Sequence, residues 1–194
     1  MGAENQQGRP DSNLANYIAG FVDGEGSFHV AIQRNPSTKA TWQLVPEFHV
    51  SQHVSSKEVL ELMRDTLKCG YLKANHRYNP RDETYVYVVR SRNDLATKVI
   101  PFFREFQLRT SKQKDFEVFS KIVLRMQNGD HQTIEGLVGL LRLAFSMNRS
   151  GKYRRMSLDK ILENLEPSET VRQTSSVKED EDTVRSVRRR TEAG

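Results

Sequence analysis

The order of hydrophobic periods along the chain predicts an α+β domain of the form α-β-β-α-β-β-α, with helices on one side of an antiparallel sheet. Three observations carry this. Leu14, Ile18, Phe21 and Val22 fall at helical spacing, and the stripe runs directly into strict alternation over residues 27–34. A second alternating segment, 41–52, follows after one turn. The same order, helix then two strands, recurs over residues 55–90, after which only helical periodicity is found.

Each element has its own signals. Asn13 is the expected N-cap of the first helix, which reaches about Gly24, with Gly26 as its breaker. In residues 27–34, Phe28, Val30 and Ile32 point one way, and His29, Ala31 and Gln33 the other. The loop 35–39 turns the chain back. In 41–52, Trp42, Leu44, Phe48 and Val50 share one face, and Gln43, Glu47, His49 and Ser51 the other. Val45 breaks that polar row, and Pro46 marks an edge or a bulge. Val59, Leu60, Met63 and Leu67 form the next helical stripe, capped by Ser55 or Ser56. Residues 70–77 set Lys73, Asn75 and Arg77 on one strand face. Residues 84–90 are apolar or aromatic on both faces, so the pattern leaves their outward face open. A helix capped by Asn93 and reaching about Phe106 should be interrupted or kinked at Pro101. Further helices are expected over 111–126, 132–147 and, after the basic loop 148–155, over 158–165, capped by Ser157.

The formal net charge is +5 in 194 residues, which suits a polyanionic partner. The excess lies ahead of residue 168. Beyond it, Arg172, Lys178, Arg185, Arg188, Arg189 and Arg190 are balanced by Glu169, Glu179, Asp180, Glu181, Asp182 and Glu192. Residues 1–12 read as a polar lead, 13–166 as the domain, and 167–194 as a disordered tail poor in large apolar residues. Cys69 is the single cysteine, which excludes an internal disulfide and a cysteine zinc site. His49 and His53 lie on a strand end, where a spacing of four does not converge on a metal. No apolar run has the length of a membrane span, and the N-terminus does not read as a signal peptide. The expectation is a soluble, intracellular protein.

The informative stretch is residues 17–28, YIAGFVDGEGSF. Gly20 and Gly24 share a helix face, and each costs about 1 kcal/mol against alanine there. Close approach of a second helix would justify that cost. Asp23 and Glu25 sit at a helix C-terminus, the end that disfavours negative charge, and a bound cation would reverse the sign. An isolated Asp-x-Glu is otherwise an ordinary acidic turn. Likewise, by pattern alone, the polar sheet face serves solvent as well as a DNA major groove.

Residues 18–26, IAGFVDGEG, closely resemble the signature of the LAGLIDADG homing endonucleases, both glycines and both acids included. Phe48-His49-Val50-Ser51-Gln52 is similar to the family segment whose glutamine orders active-site water, and Ser111-Lys112-Gln113-Lys114 to the segment that supplies a catalytic lysine. Glu25 stands where many members have aspartate. The resemblance implies a curved antiparallel sheet that reads DNA and a metal-dependent hydrolysis of both strands. It implies a long pseudo-palindromic site and 3′ overhangs. It assigns Glu25, Gln52 and Lys112 to catalysis, and Glu25 with the Gly24 carbonyl to magnesium, or another divalent cation such as manganese. The single signature copy implies a homodimer through Gly20, Phe21, Asp23 and Gly24. DNA contacts are expected from Ser27, His29, Ala31, Gln33, Arg34, Lys39, Gln43, Glu47, His49, Lys73, Asn75 and Arg77, and from Lys152, Arg154 and Arg155 on the backbone. An intron RNA maturase, with intron RNA as its partner, and a non-catalytic DNA-binding protein are the alternatives on the same scaffold. The tail has the character of a coding overlap with an intron core.

Overall fold

The computed structural model describes residues 11–38, 40–75, 81–150 and 156–165, without the side chains of 148–150. The order is α1 (Ser12–Glu25), β1 (Gly26–Arg34), β2 (Trp42–His53), a 3-10 turn (Val54–Ser56), α2 (Lys57–Leu67), β3 (Tyr71–Ala74) and β4 (Thr84–Val89). Then come α3 (Arg92–Asp94), a π turn (Leu95–Val99), α4 (Ile100–Glu105), α5 (Lys112–Gln127), a 3-10 turn (Asp130–Gln132) and α6 (Ile134–Ser150). The α-β-β-α-β-β-α expectation holds, with the sheet antiparallel throughout in the order β1-β2-β4-β3. A second unit starts at residue 155; its described part is α7 (Leu158–Glu163), capped by the Ser157 hydroxyl, which accepts from the Lys160 amide at 3.4 Å. The expected disorder of 167–194 and most of the N-terminal lead lie outside the described residues.

Two details of α1 differ from the sequence reading. Its N-cap is Asp11, whose carboxylate accepts from the Asn13 amide at 3.0 Å, so the helix begins earlier than a cap at Asn13 would allow. Its buried face is Ala15, Ile18, Ala19 and Val22, while Leu14 and Phe21 are half-buried. The stripe is rotated because two alanines, weak as hydrophobic signals, supply the side closest to the protein.

The inner face of the sheet carries the core. Phe28 is its hub: it stacks on Phe48 at 5.0 Å, and meets Phe116 at 5.2 Å, Phe119 at 5.4 Å and Phe103 edge-on at 5.5 Å. One aromatic side chain of β1 thus links β2, α4 and α5, and such ring pairs each add about 1 kcal/mol beyond their buried area. On β4, Tyr87 points into this core and donates to the Cys69 carbonyl at 2.9 Å. Pairing of Tyr87 with Val50, and of Val86 and Val88 with Ser51 and His49, settles the face that the sequence left open. Val86 and Val88 lie on the outer side.

Pro46 sits in β2 opposite Val30, beyond the stretch Phe48–His53 that pairs with β4. β2 has one neighbour there, so a residue without an N–H is tolerated. Pro101 follows the π turn, which absorbs the interruption that its missing donor imposes. The turn that replaces the expected Asn93 cap is closed by Ser91, whose hydroxyl accepts from the Asp94 amide at 3.2 Å.

Gly26 has an extended backbone, so its φ does not demand glycine. Space does: a Cβ there would lie 2.5 Å from Val22 Cγ1 and 2.8 Å from the Val22 carbonyl oxygen. Gly26→Ala should therefore lower stability by about 1–3 kcal/mol, as overpacking does. Gly20→Ala, with nothing within 4 Å of its Cβ, should leave the isolated chain as stable or slightly more so. Denaturant unfolding of both variants at a concentration that keeps the protein monomeric checks the contrast.

Candidate active site and nucleic-acid interface

The carboxyl end of α1 is braced by side chains from both directions. Asp23 accepts from the Arg109 amide at 2.7 Å, the Thr110 amide at 3.0 Å and the Thr110 hydroxyl at 2.6 Å. All three donors lie in the loop that leads into α5. In return, the Lys112 ammonium, at the start of α5, donates to the Val22 carbonyl at 2.8 Å and the Gly24 carbonyl at 3.2 Å. Burial raises the Asp23 pKa, but the Thr110 hydroxyl, the two amides and Lys112 outweigh it, so the carboxyl titrates below the usual range. Lys112 moves down: burial prevails over the pull of Asp23 and Glu25.

The two acids of the signature have therefore separated. Asp23 is consumed as a brace. The Glu25 carboxylate is exposed and makes no hydrogen bond among the described residues. Gly26 pairs with Val50, so Glu25 lies where β2 continues into Ser51 and Gln52. Gln52 has the parity of Phe48 and Val50, on the helix side, and pairs with Tyr85. Sheet, α1 and α5 thus bring Glu25, Gln52 and Lys112 to one end of α1. A metal fits this donor set. An unengaged carboxylate and the Gly24 carbonyl, which keeps a second lone pair beside Lys112, are the hard oxygen ligands that magnesium takes.

Gly20 and Gly24 are exposed along α1 with no neighbour within 4 Å of their Cβ positions. Tyr17 is 49% exposed on the same side, its ring 6.1 Å from Phe21. A groove lined by Asn16, Ala19, Gly20, Asp23, Phe106 and Arg109 runs beside them. Of the expected interface residues, Gly20, Gly24 and half-buried Phe21 are open to a partner, whereas the carboxylate of Asp23 is engaged within the chain.

On the outer sheet face, register places Ser27 opposite His49, His29 opposite Glu47, Ala31 opposite Val45, and Gln33 opposite Gln43. Lys73 joins through β4, and exposed Asn75 follows it, its amide donating to Asp82 at 3.1 Å. Gln43 accepts from the Asn35 amide group at 2.9 Å. Arg34 has the other parity and lays its guanidinium 5.8 Å over the Trp42 ring. Lys39, Arg77, Lys152, Arg154 and Arg155 lie outside the described residues.

Two contributors were not singled out from the sequence. Arg90 follows β4 and binds the Glu47 carboxylate, completing a row His29–Glu47–Arg90 across three strands. The β2–β4 register would have revealed it, and that register is not written in a strand apolar on both faces. Burial raises the Glu47 pKa, but His49 and the hydrogen bond and charge of Arg90 overcome this and bring it to about 2. The second omission is the pair Arg109–Thr110, joined to Asp23 across more than eighty residues without any local signal.

The comparisons agree with this geometry. The LAGLIDADG endonuclease family model matches residues 18–123, more than half of the chain, and the chain belongs to that family. It is 34% identical over 134 residues to a probable intron-encoded endonuclease of Neurospora crassa, covering 68% of this chain and 28% of that protein. It is 31% identical over 125 residues to the DNA endonuclease I-CeuI of Chlamydomonas moewusii, covering 63% and 56%. The chain thus spans about a quarter to a half of these relatives. Among solved structures, the homing endonuclease I-TnaI superposes with a TM-score of 0.69 at 38% identity, over 78% of this chain and 97% of that one. The archaeal intron-encoded homing endonuclease I-Vdi141I, complexed with DNA, gives 0.73 at 30%, over 80% and 96%. The meganuclease I-SmaMI bound to DNA gives 0.66 at 33%, but the match fills 46% of its chain.

Asp23→Ala should cost about 2 kcal/mol, the scale of hydrogen bonds to a charged acceptor. Because the folded-state pKa lies below the unfolded one, this contribution is complete above about pH 4 and disappears as pH falls through the folded value. Urea unfolding at pH 7 and pH 3 should show a clear gap between wild type and variant at the first and a smaller one at the second.

Proposed function

We propose that the protein is a site-specific DNA endonuclease that hydrolyses both strands of a duplex as a homodimer. The observation that carries this reading is the division of labour at the end of α1. Glu25 alone is left unengaged, with Lys112 fixed beside it and Gln52 at the neighbouring strand end. The relatives named DNA endonuclease and the neighbours solved with DNA support the same substrate.

Magnesium or manganese held by Glu25 and the Gly24 carbonyl would neutralise charge on the attacking and leaving oxygens. The remaining work belongs to the chain. Lys112 has three N–H groups, two of them used on Val22 and Gly24, and the third is available to the scissile phosphate. Its braced position costs no reorganisation when the phosphate gains charge. Gln52, with both a donor and an acceptor, orients the attacking water. The row His29–Glu47–Arg90 and its neighbours face the major groove, where alternate side chains at strand spacing meet base edges.

One signature copy supplies one Glu25, and two strands need two. The open face at Gly20 and Gly24 lets a second α1 cross there, and a two-fold dimer reads a pseudo-palindromic site with each half-site on one sheet. The same fold fills nearly all of I-TnaI and I-Vdi141I but under half of I-SmaMI, which fits a complete enzyme built from two such domains. Two sites side by side across the groove would leave 3′ overhangs.

The test is cleavage of the intronless junction of the host gene with magnesium. Glu25→Gln should bind the duplex normally and lose cleavage by at least about a hundredfold; Lys112→Met should lose cleavage by a similar factor, within the range for a lost charge-stabilising donor. Binding without cleavage by wild type, or selective binding of the intron RNA, would instead establish the non-catalytic or maturase reading. Gly20→Leu should convert a dimer to a folded monomer in sedimentation equilibrium and abolish cleavage of both strands.

A further inference from the structure

His29, Glu47 and His49 offer one donor atom each, all within 4.8 Å of one another on the outer sheet face. We propose that they form a site for a first-row divalent transition metal, with zinc the representative ion, separate from the Glu25 carboxylate.

The placement follows from register. His29 is directly opposite Glu47, and His49 stands two residues along β2 on the same side. Two imidazoles and a carboxylate are a zinc donor set that leaves one position open, and they disfavour magnesium, which takes oxygen ligands. In a tetrahedral centre with bonds of about 2.1 Å, ligand atoms lie about 3.4 Å apart. His49 Nδ1 and Glu47 Oε1 are 3.4 Å apart already. That nitrogen is buried and lacks an aligned hydrogen-bond partner, so it and the oxygen can be directed at one common point. The rings of His29 and His49 are 5.3 Å apart and steeply inclined, so the two imidazoles approach Glu47 from different directions.

Glu47 is prepared for the role. It is 8% exposed and lies directly opposite His29 across the β1–β2 pair. Its Oε2 is taken by Arg90, which leaves Oε1 as the ligand and fixes its direction, as an outer partner does in metal sites. The same three residues lie on the face that the endonuclease reading gives to DNA. On that reading, metal occupancy withdraws His29 and His49 from the bases, so the ion opposes duplex binding while magnesium at Glu25 supports cleavage.

The experiment uses the full, untagged chain without DNA, titrated with cobalt(II) as a coloured substitute for zinc. Expected are d–d absorption bands saturating at one ion per chain, erased by zinc and unaffected by millimolar magnesium. A His29→Gln/His49→Gln double variant should bind cobalt at least about tenfold more weakly, and Glu25→Gln should titrate as wild type. Absence of the bands, or bands that persist in the double variant, overturns the site. Should the double variant fail to fold, zinc-induced shifts of imidazole NMR signals in the wild type decide. Shifts at His29 and His49 uphold the proposal, and shifts confined to other histidines overturn it. Saturating zinc should then weaken binding to the host-gene duplex at least tenfold. Unchanged duplex affinity refutes the antagonism, whereas failure to bind the duplex even without zinc refutes the endonuclease reading and leaves the cobalt result standing.

Discussion

The junction of α1 with α5 is held by a reciprocal exchange of charge. α1 sends Asp23 to the amides that precede α5, and α5 sends Lys112 to the carbonyls that end α1. Each charge goes to the helix end whose dipole favours it, an anion to an N-terminus and a cation to a C-terminus. The exchange fixes where the backbone leaves α1, and β1 begins at the next turn of chain, at Gly26. The position of the sheet relative to the helices, and of Gln52 relative to Glu25, depends on that exit. It also explains why an Asp-Gly-Glu sequence can stand at a helix C-terminus. One acid is paid for by three hydrogen bonds, and the other is left with its charge exposed.

The outer face has its own internal order. β2 is the long strand of the sheet, and β4 pairs only with its second half, so the β1–β2 hairpin extends beyond β4 as a two-stranded ribbon. Pro46 lies at the boundary. Just inside it, Glu47 ties the ribbon to the main sheet through Arg90, and the two histidines crowd around the same carboxylate. A buried carboxylate among cations and imidazoles is costly unless its partners stay in place. The ribbon is therefore anchored at its base through Glu47 and Arg90, and toward its tip Gln33, Arg34 and Gln43 are exposed.

Much of this was legible in the sequence. Alternation in β1 and β2 put Phe28, Val30, Trp42, Leu44, Phe48 and Val50 on the core side and His29, Gln33, Gln43 and His49 on the other, but it did not show that Arg34, expected to meet DNA, has the core-side parity. The helix expected over 111–126 is α5, whose buried face is large and apolar except for Ser120. The family resemblance over residues 18–26, 48–52 and 111–114 named Glu25, Gln52 and Lys112, and the fold brings all three toward the end of α1. What failed has physical reasons. The buried alanines of α1 carry too little hydrophobic signal to orient a helix, so its face was read about one residue out of place. Ser91 and Asp11 lie just ahead of the caps chosen at Asn93 and Asn13, and helix ends are decided by side-chain geometry that neighbouring polar residues can all offer. The partners of Asp23 and the register that aligns Arg90 are long-range contacts, without a local trace.

The open face of α1 and the site at its end belong to one design. Among the described residues nothing requires glycine at positions 20 and 24, since a Cβ at either meets no atom within 4 Å, and each glycine costs the helix about 1 kcal/mol. That cost is recovered only if a second surface comes close enough to need the missing side chains. Gly24 belongs to this face and also supplies a carbonyl to Lys112, one residue before Glu25. A helix crossing at these glycines would therefore set the spacing between two copies of Glu25 directly, through backbone contact rather than through flexible side chains. In the proposed dimer, association and the placement of the two cleavage sites are the same event, and a substitution that spoils one cannot spare the other.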